Sequence, residues 1–382
     1  MSGIVYLDNA ATSFPKRAEC LRGALERYLQ LGASPGRGSY DSAVEAEAAV
    51  TAVRRRVCRF FGGAEDHRVC FASNATDALN TLIQGLLRPG DHVVGSRLEH
   101  NSVLRPLHHM RESRGIRFDL VPFDANGFVD PEGIASTITP ATRLVVITHA
   151  SNVLGTIQPI EQIARVCRSR KVPLIVDAAQ SAGTIPFHMS EWGVQGVAFT
   201  GHKSLLGPSG IGGLLLSPEI DPEPTRFGGT GVDSRNPLHT PTYPHRLEAG
   251  TLNLLGVLGL EAGLEYVEPN QSSFYAREMA LLTALRDGLQ QLPRIRLFCA
   301  ERLERHLPVL TCAVQGRASE DVGAILDGDY GIAVRAGLHC APLVHHDMGT
   351  IEKGAVRFSL GPFTTESDID RTIEAMAAIA RR

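Results

Sequence analysis

The feature that most restricts this chain is a series of short, unbroken apolar runs rich in β-branched residues, separated by helix-length segments. They lie at 68–73 (RVCFAS), 92–96 (HVVGS), 117–123 (RFDLVPF), 143–149 (RLVVITH), 173–177 (PLIVD), 196–200 (GVAFT) and 211–216 (IGGLLL). A strand with one wet face alternates apolar and polar residues, so continuous apolar character marks strands buried on both faces. Helical patterns at 75–87 and 160–170 fall between them. Strand and helix alternate, which predicts an α/β fold with a mostly parallel central sheet.

The pattern stops at Ser217. The stretch 217–250 holds six prolines and neither a helical nor a strand period. A structureless run that long in a compact domain is usually functional, and it is expected to serve as active-site and interface loop. Helices are then expected over 253–268, 274–291 and 366–381, with strands over 307–315, 331–335 and 354–359. The expected division is a large domain over 14–265 and a smaller α+β domain formed by 266–382 with the N-terminal segment 1–13. The run Arg54–Arg56 reads as the solvated face of a helix.

Charge narrows the partners. The 41 acidic and 38 basic side chains leave a net charge of -3, so no global positive field exists to hold nucleic acid or an anionic membrane. No apolar stretch reaches the ~18 residues of a membrane span, and the first residues lack the pattern of a secretory signal. Seven cysteines, an odd number without a CxxC pair, point to reduced thiols and a cytoplasmic location. Lysine is scarce, at Lys16, Lys171, Lys203 and Lys353 only, which draws attention to any lysine in an unusual setting.

Lys203 is in such a setting, just past the run 196–200 and ahead of Gly207, Gly210, Gly212 and Gly213. A lysine held in tight, partly apolar surroundings is pushed toward the neutral amine that condenses with a carbonyl. The other three lysines fall in segments with no chemical constellation. Asp177 ends an apolar run, at the edge where ligands collect in open α/β sheets. It suits either a helix cap or a partner for a pyridinium nitrogen. Gln180, three residues on, offers a neutral donor. Asn74, Ala75 and Thr76 open a helix after a strand, a place where free N–H groups and the helix dipole favour a phosphate. His100 follows the run 92–96 at the same edge, where an imidazole stacks on a ring and moves protons. Asn152 follows the run 143–149 there too.

Nine motifs, in order over nearly the whole chain, resemble the class V aminotransferase family of pyridoxal-phosphate enzymes, and within it the cysteine desulfurases and selenocysteine lyases. They are YLDNAAT (6–12), SNATDALN (73–80), EHNSVL (99–104), SNVLGT (151–156), VDAAQSAG (176–183), TGHKSLLGPSGIG (200–212), EAGTLN (248–253), RAGLHCAP (335–342) and VRFSLGPFTTESDID (356–370). The resemblance implies a fold-type I enzyme using pyridoxal 5'-phosphate. Lys203 would form its covalent imine, Asp177 pair with the ring nitrogen, Gln180 reach the ring hydroxyl and His100 stack over the ring. Ala75, Thr76, Thr200 and His202 would contact the phosphate, with Thr251 reaching the phosphate of a neighbouring subunit in a homodimer. Asn152, Arg357, Asn9 and Ala10 would hold substrate, and a planar arginine suits a carboxylate.

Cys340 is the expected nucleophile. It must be accessible and partly thiolate, which a loop beside His339 is expected to provide. Cys20, Cys58, Cys70, Cys167, Cys299 and Cys312 read as small core hydrophobes. With sixteen residues between Cys340 and Arg357, the chain resembles the short-loop branch, which often depends on a protein sulfur acceptor. Three departures stand out: Asn74 and Ala75 replace the usual glycine and threonine, the GHKSLLGP turn is one residue longer than in some members, and His345 and His346 are extra. A metal site of Cys340, His345 and His346 matches no zinc spacing, and none is expected. The implied reaction takes sulfur from L-cysteine, leaving L-alanine and a persulfide; L-selenocysteine cleavage and transamination are the rival reactions.

Overall fold

The computed structural model describes residues 3–36, 38–232, 234–299 and 301–381. Residues 1 and 2 of the expected N-terminal segment, and residue 233 of the proline-rich stretch, lie outside that set. In chain order the strands are β1 (Val5–Tyr6), β2 (Arg68–Ala72), β3 (His92–Ser96), β4 (Arg117–Val121), β5 (Thr142–Thr148), β6 (Leu174–Asp177), β7 (Gly196–Thr200), β8 (Gly212–Leu216), β9 (Ile295–Phe298), β10 (Val309–Val314), β11 (Ile332–Ala333), β12 (Arg335–Gly337) and β13 (Ala355–Ser359).

Strands β2 to β8 are the seven apolar runs, and they form one sheet in the order β2-β8-β7-β6-β5-β3-β4. Only β8 runs against its neighbours, pairing antiparallel with both β2 and β7. Strands β3, β6, β7 and β8 are buried along their whole length, so helices cover both faces, as an unbroken apolar run requires. The helix Ile160–Ser169 shows how they do so. It buries Ile160, Ile163, Ala164 and Cys167, one stripe at helical spacing, and each large side chain so buried contributes roughly 1.5–3 kcal/mol.

A second core gathers Val5 and Leu7 with Leu282, Leu285, Leu310, Phe358 and Met376. Its sheet is antiparallel, in the order β12-β13-β10-β9. The N-terminal strand β1 pairs in parallel with β11, Val5 opposite Ile332. Residues 217–250 carry neither helix nor strand among those described, as the prolines predict.

One expectation fails. Arg54 is not on a solvated face: its guanidinium forks onto Glu248 at 2.6 and 2.7 Å, donates to the Val69 carbonyl and stacks over Phe71. Glu248 lies 194 residues away in sequence, so local charge patterning held no trace of it. The helix Ala18–Leu31 was also missing from the sequence reading, and only Ala24 of it is buried, too thin a stripe to produce a periodic signal.

Candidate active site

The carboxyl ends of β2, β3, β5, β6 and β7 point to one edge of the sheet, the position where open α/β sheets bind ligands. The loops leaving that edge deliver residues from five separate motifs to one cavity of about 390 Å³. Its walls include Thr76, His100, Asn152, Asp177, Gln180, Thr200, His202 and Lys203. The smaller sheet closes the other side with Arg335 on β12, Arg357 on β13 and Cys340 on the loop between them. Ala10 and Ala75 complete the expected set at the cavity.

Two expected residues are elsewhere. Asn9 is buried, but its amide donates to the Ser359 carbonyl and accepts from the Phe14 N–H, so it pins the N-terminal segment and does not line the cavity. Thr251 is exposed in a separate groove beside Glu248 and Gly250.

Local structure explains the placing of each group. Asn74 caps the helix Ala75–Leu86 by accepting from the Asp77 N–H at 3.0 Å, a contact worth about 1 kcal/mol. The N–H groups of the first turn are then left without helical acceptors, a ready site for an anion. Gly212 permits the turn, because a Cβ there would meet the Asn74 backbone. Gly183, at φ +92°, similarly lets the Lys203 loop pass, since a Cβ would collide with the Ser204 carbonyl. The Thr200 hydroxyl is buried with no hydrogen-bond partner. An orphaned donor on the cavity that also holds Ala75 and Thr76 of the helix start suits the phosphate of a cofactor, as burial without a partner otherwise costs about 1–3 kcal/mol.

Electrostatics divides the site into two kinds of group. Burial lowers Lys203 to about 8, with Asp177 opposing the shift, so a sizeable neutral-amine fraction exists near neutral pH. Burial raises Asp177, while the Ala179 N–H at 2.9 Å and Lys203 oppose the rise. Behind it Glu99 accepts from Ser96 and from the Thr148 N–H through one oxygen, and burial pushes it up to about 8. A protonated Glu99 places no second negative charge beside Asp177. Burial and Lys203 lower His100 to about 4, and burial, Lys203 and Lys16 lower His202 to about 4. Both imidazoles are neutral at neutral pH.

Some polar groups are already engaged. Gln180 donates to the Ala10 carbonyl at 3.1 Å. Arg357 donates to Asp8 at 2.7 Å and to the Asn152 carbonyl at 3.1 Å, while its Nε is buried and unpartnered. The Asn152 amide donates to the His339 carbonyl.

Sequence reasoning passed over Ser102, Asp8, Glu99 and Lys16. Ser102 Oγ lies 2.6 Å from Thr76 Oγ1 and 2.9 Å from His100 Nδ1, and its place inside EHNSVL was the available signal. Lys16, expected to lack a chemical setting, donates to Ser13 Oγ and to the His202 carbonyl, and burial lowers it to about 8. It clamps the N-terminal segment onto the peptide next to Lys203.

The cysteines separate by exposure. Cys340 is exposed, Cys70, Cys167 and Cys312 are buried, and Cys20, Cys58 and Cys299 are intermediate. His339 does not assist Cys340 as expected. Burial and Arg357 lower it to about 2, and both its nitrogens are engaged, by the Arg335 carbonyl and by His345. The charges that sense Cys340 are Lys203 and Arg357. Among the described residues no group of three metal-ligating side chains is assembled; His345 is buried, and His346 turns toward Arg97 and Asp347.

Fold and site together define a family. Residues 5–372 match Aminotransferase class-V, and the chain belongs to it. Within the family it resembles cysteine desulfurases over its full length. It is 33% identical to a protein of Methanothermobacter thermautotrophicus described as a probable cysteine desulfurase, covering 98% of this chain and 94% of that one. It is 31% identical to a cysteine desulfurase of Pectobacterium atrosepticum, covering 99% and 93%. The apo structure of a cysteine desulfurase from Thermococcus onnurineus superposes with a TM-score of 0.91 at 30% identity, over 99% of this chain and 95% of that one. No helix among the described residues is long and apolar enough to cross a membrane.

Proposed function

We propose that the chain is a pyridoxal-phosphate-dependent cysteine desulfurase, which converts L-cysteine to L-alanine and leaves the sulfur as a persulfide on Cys340. The observation that carries the reading is the meeting of Lys203, Asp177, His100 and Cys340 around one cavity. Bound pyridoxal phosphate supplies an electron sink for charge developing at the substrate Cα. Thr200, Thr76, His202 and the first-turn N–H groups at Ala75 would hold its phosphate, and Asp177 and Gln180 its ring.

The chain's own groups then divide the work. Arg357 and Asn152 orient the substrate carboxylate, with the free Arg357 Nε available to it. Lys203, neutral in part, takes the Cα proton at Nζ. His100 faces the substrate sulfur as a hydrogen-bond donor. The Cys340 thiolate attacks that sulfur: an S–S bond forms, the C–S bond breaks, and its electron pair stays with the substrate carbon, which gains a proton to give alanine. A protein thiol would then collect the sulfur. We also read the enzyme as a homodimer in which Thr251 serves the partner's site. The exposure of Thr251, and of Phe227 and Leu238 at 72% and 77% on the neighbouring loop, supports this.

The test is alanine formation from L-cysteine by the cofactor-loaded protein, with mass detection of a sulfur adduct on Cys340. L-selenocysteine at equal concentration measures preference between the two substrates. A Cys340→Ala protein that made alanine at the full rate would remove the persulfide route, and a keto acid in place of alanine would make the enzyme a transaminase.

A further inference from the structure

The loop that carries Cys340 holds an unusual backbone. His339 and Cys340 both occupy the left-handed region, at φ 50° and 57°, with one residue between them and Gly337 at φ 107°. Each non-glycine residue there costs roughly 1–2 kcal/mol, so two in succession persist only where surrounding contacts over-determine them.

Those contacts form a directed chain. His339 Nε2 lies 3.3 Å from the Arg335 carbonyl, and a carbonyl only accepts, so Nε2 carries the proton and Nδ1 of the neutral ring is an acceptor. His339 Nδ1 lies 3.0 Å from His345 Nε2, which must therefore be the donor. His345 Nδ1 is left as an acceptor, 2.8 Å from the Thr350 hydroxyl, whose other acceptor, the His345 carbonyl, is farther off at 3.4 Å. Protons thus point one way, from Thr350 to His345 to His339 to Arg335. The direction requires both rings to be neutral. Burial lowers His339 to about 2 and His345 to about 4, and both side chains are buried. The chain joins β12, the Cys340 loop, the helix Pro342–Asp347 and the turn at Thr350, bracketing the strained pair.

We infer that His345, backed by Thr350, is a positioning residue that fixes the Cys340 loop for sulfur transfer. This rests on the reading of Cys340 as the nucleophile. Asn152 and the Asn101 N–H hold the His339 and Cys340 carbonyls, which fixes the peptide on the cavity side. His345 fixes the side chain next to it.

The test uses the cofactor-loaded enzyme with His345→Leu, His345→Gln, Thr350→Val and Thr350→Ser. Single-turnover persulfide formation is expected to fall at least roughly tenfold in His345→Leu and several-fold in Thr350→Val, since misplacing a reacting group by 1 Å costs up to ~100-fold. Glutamine keeps a donor at the Nε2 position and serine keeps the hydroxyl, so both should restore most of the rate. Alkylation of Cys340 by iodoacetamide should stay within about twofold of the parent, because the thiol remains exposed and only its aim changes. The inference is overturned by unchanged persulfide formation in both disrupting variants, by alkylation falling in step with it, or by nitrogen NMR placing the His345 proton on Nδ1. If His345→Leu does not fold, the Thr350 pair decides alone. A Cys340→Ala enzyme with full alanine formation would refute the nucleophile, and the NMR proton assignment would still report separately on the histidine chain.

Discussion

The main-chain N–H of Ser102 donates to His100 Nδ1 at 3.0 Å. That bond makes Nδ1 an acceptor, so the neutral imidazole carries its proton on Nε2, toward the cavity. In the proposed reaction His100 is thereby suited to donate to substrate sulfur and not to serve as a base for a thiol proton. Nitrogen NMR of the holoenzyme should find an Nε2–H tautomer that does not titrate above about pH 5. His100→Phe should retain cofactor but lose turnover by roughly 10²–10⁴, and His100→Gln, which keeps a donor, should lose less. A His100 resonance titrating near its ordinary 6.5 would refute this.

The sign for stability follows from the same lowering. The unfolded chain takes up a proton on His100 through 6.5, while the folded chain resists until about 4. The contribution is complete above pH 6.5 and is lost as pH falls toward 4. His149, lowered by burial to about 3, acts in the same direction. The raised Glu99 and Glu278 act in the opposite direction over this window, so the test is comparative: on going from pH 7 to pH 5, a His149→Gln protein should lose less stability in urea unfolding, or gain more, than the parent.

Lys203 sets a different pH dependence. The amine lowered to about 8 is reactive only when neutral, so cofactor capture by apoprotein should quicken between pH 6.5 and 8 and then level. Stopped-flow absorbance of the bound cofactor measures this. A capture rate flat with pH would refute it.

The orphaned Thr200 hydroxyl predicts opposite effects on two states. Thr200→Val keeps the shape and removes a buried, unsatisfied group, so apoprotein stability should hold or rise by about 1 kcal/mol. Cofactor affinity should fall by roughly 5- to 30-fold as a phosphate contact is lost. Denaturation of apoprotein and cofactor titration are the two measurements.

Arg54 tests the anchoring of the proline-rich stretch. Arg54→Met strands the Glu248 carboxylate, which also accepts the Phe71 N–H, and should destabilise by about 2–3 kcal/mol, below the range for a fully buried pair. Urea unfolding checks it. Arg54→Met with Glu248→Gln should recover part of the loss.

How legible this was in sequence follows the range of the interactions. The inner strands β3, β6, β7 and β8 announced themselves because burial on both faces leaves no room for alternation, and the site residues sit where such runs end; the run 117–123 departs from this, since β4 is the edge strand and exposes Arg117 and Asp119. What stayed hidden was pairing over distance. Arg357 meets Asp8 across 349 residues, Lys16 meets the His202 carbonyl across 186, and neither has a local signature. The family resemblance pointed to Arg357 as a carboxylate ligand, but not to the acid that occupies part of its guanidinium. Likewise His339 looked like a partner for Cys340 until burial and two hydrogen bonds were seen to use up both its nitrogens.

The parallel pairing of β1 with β11, and the grip of Asp8 on Arg357, have a consequence for biosynthesis. Strand β1 leaves the ribosome ahead of its partners, since Ile332 and Arg357 come far later in the chain. A further 349 residues must therefore be synthesised after Asp8 before Arg357 acquires its counter-charge. A nascent chain ending before β13 would have the Lys203 side of the cavity but neither Arg357 nor its clamp at Asp8, so the two halves of the cavity are assembled only once β13 has been made.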